Sequence, residues 1–314
     1  MSHAQRILIL GAGGQVGTEL QRSFANAGDV TALDRKTADL SKPEELRPLI
    51  HQLQPNVILN AAAYTAVDRA ESEPELAMRI NGEAPRVLAE EAVKLNALFV
   101  HYSTDYVFDG SKTSPWVESD TTNPLNVYGK TKLAGEQAIE ETGGRYFIFR
   151  TSWVYGPHGH NFLLTMLRLG RERDQLKIVD DQFGAPTSSI AIADATRAAV
   201  NRAAATGETI PSGVYHLTCG GETTWCRFAK EIFAQHQLQA DGKLPQVFPI
   251  PSREYPVPAV RPANSVLSNQ KFQSSFGTAL PDWRSALAEA IRMLVNPDGK
   301  RPAWRALQGQ ENKA

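Results

Sequence analysis

Two cysteines, Cys219 and Cys226, are all that the 314 residues contain. Two thiols cannot staple a small secreted scaffold or complete a four-ligand zinc site, and this pair lacks the short gap of paired metal ligands, so both read as structural. No wholly apolar run approaches the roughly 20 residues that cross a bilayer, and a short polar lead, MSHAQR, opens directly into an apolar strand. Charge of one sign is lacking as well. A formal net charge of -1 gives no general attraction to DNA, RNA or an anionic membrane, so any nucleotide has to be held by a local site. Neither Pro nor Gly is in the excess that marks disorder, and no repeat or low-complexity tract occurs. These absences leave a folded cytoplasmic protein with no nucleic-acid or membrane partner.

What is there is a regular alternation. The runs RILIL (6–10), VTALD (30–34), NVILNAAA (56–63), ALFVHYS (97–103) and YFIFRTS (146–152) are short, apolar or β-branched, and bounded by turn residues, so they read as strands. Amphipathic stretches near 14–27, 43–54, 73–95 and 126–142 read as the helices between them. Near-continuous apolar strands alternating with helices predict an α/β fold, a doubly wound parallel sheet covered on both faces. Beyond about residue 152 the alternation weakens. Helices are expected at 161–172, 190–205, 224–237 and 283–295, and FPIPSREYPVPAVRPAN (248–264) is too rich in Pro for a regular helix. The predicted organisation is residues 1–152, joined by later returning segments, as one domain, 153–296 as a smaller α/β domain whose loops set specificity, and 297–314 as a mobile tail.

The first strand runs into GAGGQVG, with Gly11, Gly14 and Gly17 spaced three apart at the opening of a helix. Glycines let the backbone turn tightly and approach a pyrophosphate, while the N–H groups of residues such as Gln15 and Val16 and the positive end of the helix dipole receive its charge. The stricter Rossmann spacing is not met, because Val16 occupies its last glycine position. Context compensates: Asp34 ends the second strand 20 residues after Gly14, where an acid binds the adenosine ribose of a dinucleotide. Asp34 suits NADH and the adjacent Arg35 and Lys36 suit the 2'-phosphate of NADPH, so either cofactor is expected. Asp39 and Leu40 are placed to reach the adenine, with a turn or helix-entry role as the alternative for Asp39. The 1–152 unit is thus a Rossmann-type dinucleotide-binding domain.

Ser103 and Thr104 follow the fourth strand, in the crevice where open α/β sheets bind ligands. Farther on, Tyr128 and Lys132 stand at i and i+4, on one face of a helix. A free phenol has a pKa of about 10 and transfers protons poorly at neutral pH unless a cation supports its phenolate. Lys132 is such a cation and also suits the nicotinamide ribose hydroxyls, while Thr104 can donate to a substrate carbonyl. With the glycine loop, the three form a candidate catalytic group for hydride transfer.

With these motifs assembled, the chain resembles the extended short-chain dehydrogenase/reductases, and within them the dTDP-4-dehydrorhamnose reductases. The resemblance is carried by GQVGTELQ (14–21), LNAAAYTAVDRAESEPELA (59–77), HYSTDYVFDG (101–110), NPLNVYGKTKLAGE (123–136), FRTSWVYG (149–156), DDQFGAPTS (180–188) and RPANSVL (261–267). It implies reduction of the 4-keto group of a dTDP-bound sugar by NADPH or NADH. It also implies that Ala62, Ala63 and Thr65 line the cofactor, and that Val67, Asp68, Asp105, Tyr106, Trp153, Asn161 and Arg261 face the nucleotide sugar. Some relatives bridge a dimer through magnesium held by paired glutamates. Glu19 matches one of these, but Ile190 stands where the other would fall and cannot ligate a hard cation. A monomer or a weak, differently built homodimer is therefore expected, with no metal. His158 and His160, lacking a carboxylate or cysteine partner in sequence, read as loop residues. Two alternatives share the motifs. An epimerase or dehydratase of this fold would recycle bound NAD, although a dehydratase needs a carboxylate pair after the threonine and Asp105 is followed by Tyr106. A nonenzymatic NADP-binding regulatory subunit would keep the loop and the Tyr-Lys pair but has no need of Trp153 and Arg261.

Overall fold

The computed structural model describes residues 5–205, 210–237 and 244–295. Its first half contains β1 (Arg6–Leu10), α1 (Gln15–Phe24), β2 (Asp29–Leu33), α2 (Pro43–Leu53) and β3 (Val57–Asn60). There follow α3 (Val67–Ala70), α4 (Pro74–Met78), α5 (Ala84–Lys94), β4 (Leu98–Thr104), α6 (Val127–Glu141) and β5 (Tyr146–Thr151). A sixth strand, Gly213–His216, returns from the second half to pair parallel with β5. The resulting parallel sheet has the order Gly213–His216, β5, β4, β3, β1, β2.

Strand periodicity explains why these runs are apolar throughout. Successive side chains point to opposite faces, so Ile7 and Ile9 enter one core cluster with α1, while Leu8 and Leu10 enter the other beneath α2 and α5. The strands and helices expected in this half fall where the sequence places them, with two differences. β3 ends at Asn60 rather than 63, because Ala61–Ala63 leave the sheet and the Asn60 side chain accepts the Ala62 N–H at 3.2 Å. The stretch read as one helix over 73–95 is α4, a π-helical turn at Arg79–Glu83, and α5. Such insertions favour functional sites, and here the turn buries Asn81. The Asn81 amide accepts from Tyr64 N and donates to Tyr64 O and Thr131 Oγ1, tying the β3 exit to α6.

The second half holds α7 (Phe162–Glu172), α8 (Ser189–Ala205), α9 (Trp225–Gln237), α10 (Gln270–Phe276) and α11 (Trp283–Val295). Strand Gln246–Ile250 pairs parallel with Gln175–Val179, and two-residue pairings join Val154–Tyr155 to Thr187–Ser188 and Phe183–Gly184 to Thr223–Thr224. The Pro-rich segment forms the Gln246–Ile250 strand and a 3-10 turn at Ser252–Glu254 before crossing back toward β4 and α6. Its crossing is fixed by Asn126, the N-cap of α6, which donates to Val260 O at 2.8 Å. The segment expected to be a tail, 297–314, lies outside the described residues. Both cysteines are free and buried. Among the described residues, no helix is long and apolar enough to cross a membrane and no cluster of three metal-type ligands occurs.

Candidate active site

The carboxyl ends of β1, β3 and β4 lie side by side in the sheet, and the loops leaving them carry most of the candidate residues. At β1, Gly11 takes a φ of +80°, and a Cβ there would fall 2.6 Å from Ala62 N. A Cβ on Gly17 would overlap the carbonyl oxygen of Gly11, so the helix can approach the strand this closely only with glycine. The result is a cradle: α1 is capped by Gly14, whose N–H donates to Gly11 O at 2.9 Å. Helix geometry leaves the N–H groups of Gln15, Val16 and Gly17 without intrahelical acceptors, aimed at an incoming anion. Replacing Gly17 by Ala is expected to cost about 1–3 kcal/mol of stability through overpacking. Urea unfolding of the variant checks this, and the added methyl should also weaken dinucleotide binding.

At the end of β2, one Asp34 carboxylate oxygen accepts from Lys36 N, Thr37 N and Thr37 Oγ1. The Thr37 hydroxyl bond, more than the other contacts, holds the Asp34 carboxyl below its usual range. Arg35 is exposed and lies 3.7 Å from Asp39. Leu40 packs in the core, and Asp39 caps its own turn by accepting from Ser41 N. Ala62 and Ala63 are half-buried beside the glycine loop, and Thr65 is exposed at its rim. This region fits a dinucleotide: helix N–H groups for the diphosphate, and an acid with a neighbouring cation for the adenosine end.

The candidate catalytic side chains meet next to it. Thr104 ends β4, where its hydroxyl donates to Asp105 Oδ1 at 2.9 Å and accepts from Tyr106 N at 3.1 Å. Asn126 accepts from Gly129 N and so starts α6 with Tyr128 in its first turn. Burial pushes the Tyr128 phenol up to about 12, against the hydrogen bond with Thr104 and with help from the Asp105 carboxylate. One turn on, Lys132 is 1% exposed, and burial lowers its ammonium to about 8 while Glu136 opposes the shift. Burial likewise raises the Asp105 carboxyl to about 6, against the hydrogen bonds with Ser265 and Thr104. The single Thr104 proton thus points at a carboxylate, so donation to a ligand requires the hydroxyl to turn.

Asp68 and Arg261, far apart in sequence, form an ion pair at 2.9 Å, and Asp68 also accepts from Ala259 N. Arg261 reaches Tyr106, whose ring stands edge-on to Tyr128 with centroids 5.8 Å apart. Val67 opens α3 beside Asp68, half-buried. Trp153 has a φ of 46° and stacks flat on Trp225 at 3.6 Å, with its indole against Gly184. Asn161 caps α7 through Leu164 N and donates to Gln15 Oε1, Gly156 O and His158 O, which ties it to the glycine loop. Glu19 is buried and paired with Arg22 at 3.1 Å and His158 at 3.4 Å, while His160 is exposed. Sequence reasoning missed Asn60, Asn81, His101 and Asn126. A signal existed for two of them, since Asn60 and His101 are polar residues inside otherwise apolar strands.

The RmlD substrate binding domain family matches residues 5–296. A dTDP-4-dehydrorhamnose reductase of Burkholderia thailandensis is 51% identical over 93% of this chain and 99% of its own length. A dTDP-4-dehydrorhamnose reductase of Clostridium acetobutylicum superposes with a TM-score of 0.86 at 38% identity, covering 92% of this chain and 99% of that one. That of Bacillus anthracis, solved with NADP, gives 0.85 at 33% identity over 91% and 98% of the two chains. Similarity of this depth reaches from the glycine loop to the last described helix, and the chain belongs to the dTDP-4-dehydrorhamnose reductase family.

Proposed function

We propose that the protein reduces the 4-keto group of dTDP-4-dehydro-L-rhamnose with NADPH or NADH, giving dTDP-L-rhamnose as a precursor for cell-surface polysaccharide. The observation that carries this reading is that Tyr128 meets Thr104 while Lys132, one turn on, is joined through His101 and Asn60 to Ala62 against the glycine cradle, in a chain of this family. The nicotinamide, when bound, supplies the hydride. Gly11, Gly14, Gln15, Val16 and Gly17 hold the diphosphate, Asp34 and Arg35 the adenosine end, and Ala62, Ala63 and Thr65 the wall between. Tyr128 Oη gives its proton to the developing alkoxide, and Lys132 stabilises the phenolate left behind. Thr104 and Asp105 hold the keto sugar, with Trp153 as an apolar floor and the Arg261 fork toward the diphosphate.

This activity places the protein in the cytoplasm, with the nucleotide sugar as its partner. Ile190 is buried at the start of α8 and Glu19 is engaged in the protein, which supports a monomer or weak homodimer without a metal bridge. The test is to follow NADPH and NADH absorbance with dTDP-4-dehydrorhamnose. Stoichiometric cofactor oxidation supports the reductase. Turnover without net oxidation points to an epimerase, and inertness toward every dTDP-keto sugar to a binding subunit. Arg261→Ala is expected to raise KM for the nucleotide sugar by about 10- to 100-fold, with a smaller change in kcat, as loss of a charge-assisted diphosphate contact does.

A further inference from the structure

His101 and Asn60 face each other across the β3–β4 pairing, both buried, at the end of the sheet where Lys132 enters. Lys132 Nζ donates to Tyr102 O at 2.7 Å and lies 3.1 Å from His101 Nε2. The other ring nitrogen, Nδ1, lies 3.1 Å from Asn60 Nδ2. Which hydrogens occupy these contacts follows from one backbone group. Asn60 Oδ1 accepts the Ala62 N–H, so the amide cannot turn without setting two donors against each other. Asn60 Nδ2 therefore donates to His101 Nδ1, which must carry a lone pair. A neutral imidazole has one N–H, and it must then be on Nε2, pointing at Lys132.

That hydrogen finds an acceptor only when Lys132 is an amine. In the ammonium form, two donors oppose each other across 3.1 Å, and in the amine form the same contact is a hydrogen bond. We propose that His101, its tautomer fixed by Asn60, is a positioning residue that stabilises the neutral form of Lys132 and so brings its proton exchange toward neutral pH. The inference rests on the reading that Lys132 serves the reductive site. Other groups around Lys132 act differently. On α6, Glu136 favours the ammonium, but it is held by Arg150 of β5, and Tyr128 lies one turn back. Asp105, past the end of β4, bears on Tyr128. His101 itself stays neutral, since burial and then the Lys132 charge hold its imidazolium well below the usual range. A lysine that exchanges its proton near neutrality can return one to the Tyr128 phenolate after each turnover, and then recover it from solvent.

Two measurements on the full chain test this. Long-range proton–nitrogen correlation spectra of nitrogen-15 labelled protein are expected to show His101 as the Nε2–H tautomer at neutral and mildly alkaline pH. An Nδ1–H tautomer overturns the proposal. His101→Gln places a carbonyl that can accept from the ammonium, so the alkaline limb of kcat/KM is expected to move up by about 1 pH unit or more. An unmoved limb, or one moved to lower pH, also overturns it, because a merely structural role for His101 lowers activity without shifting the limb. If the unsubstituted protein fails to reduce the keto sugar, the functional reading falls, while the tautomer measurement still decides the state of His101.

Discussion

Tyr128→Phe is expected to lower kcat by at least ~100-fold while leaving NADPH affinity nearly unchanged, which steady-state kinetics and cofactor titration together check. A hundredfold corresponds to about 2.7 kcal/mol of transition-state stabilisation. The substitution removes one oxygen from a ring that keeps its edge contact with Tyr106, so the fold has no reason to change. The size of the effect follows from the phenol's environment. Raised to about 12 by burial, it stays protonated throughout the neutral range and is the acid form that reduction consumes. In the proposed mechanism Lys132 supplies the cation that its conjugate base needs, so the pH dependence belongs to Lys132. With the ammonium lowered to about 8, kcat/KM should fall as pH rises through that value, because the amine form no longer supports the phenolate. Undiminished turnover in the Phe variant would remove Tyr128 from the mechanism.

Much of this site was legible in the sequence because its parts are local. The i, i+4 spacing of Tyr128 and Lys132 needs only a helix, and the glycine spacing only a strand-to-helix turn. The apolar strands announce their own burial on both faces. What could not be read depends on register between distant segments. Nothing in NVILNAAA says that Asn60 stands opposite His101, since that follows from how β3 and β4 align. The turn that divides the 73–95 stretch carries Asn81, whose side chain bonds the backbone at Tyr64 17 residues away, a contact that helical periodicity does not announce. The Asp68–Arg261 pair needs the Pro-rich crossing, and its position is set by the Asn126 cap. Asn161 adds a further case, since its bond to Gln15 joins the start of α7 to the glycine loop across 146 positions of sequence.

Glu136→Leu is expected to destabilise the protein by about 3–5 kcal/mol, because it leaves a buried guanidinium without its carboxylate. Arg150 Nε and Nη2 donate to Glu136 at 2.6 to 3.2 Å, and the two side chains are only 5% and 2% exposed. Arg150 Nη1 has no hydrogen-bond partner, and the other groups that face the guanidinium, the Glu140 carboxylate and the Phe108 ring at 5.1 Å, do not replace the bidentate contact. The double variant Glu136→Leu with Arg150→Met removes both charges and should recover much of the loss, since a buried pair contributes little beyond a well-packed apolar replacement. Thermal unfolding of the three proteins checks the order, and a double variant no more stable than Glu136→Leu alone would show that the pair contributes through something other than its charges. The pair also joins the fold to the chemistry. It clamps α6 to β5 one turn beyond Lys132, and Glu136 is the carboxylate that favours the Lys132 ammonium. The double variant, even where it is stable, should therefore lose activity on the alkaline side sooner than the parent protein, because Lys132 without Glu136 gives up its proton at lower pH.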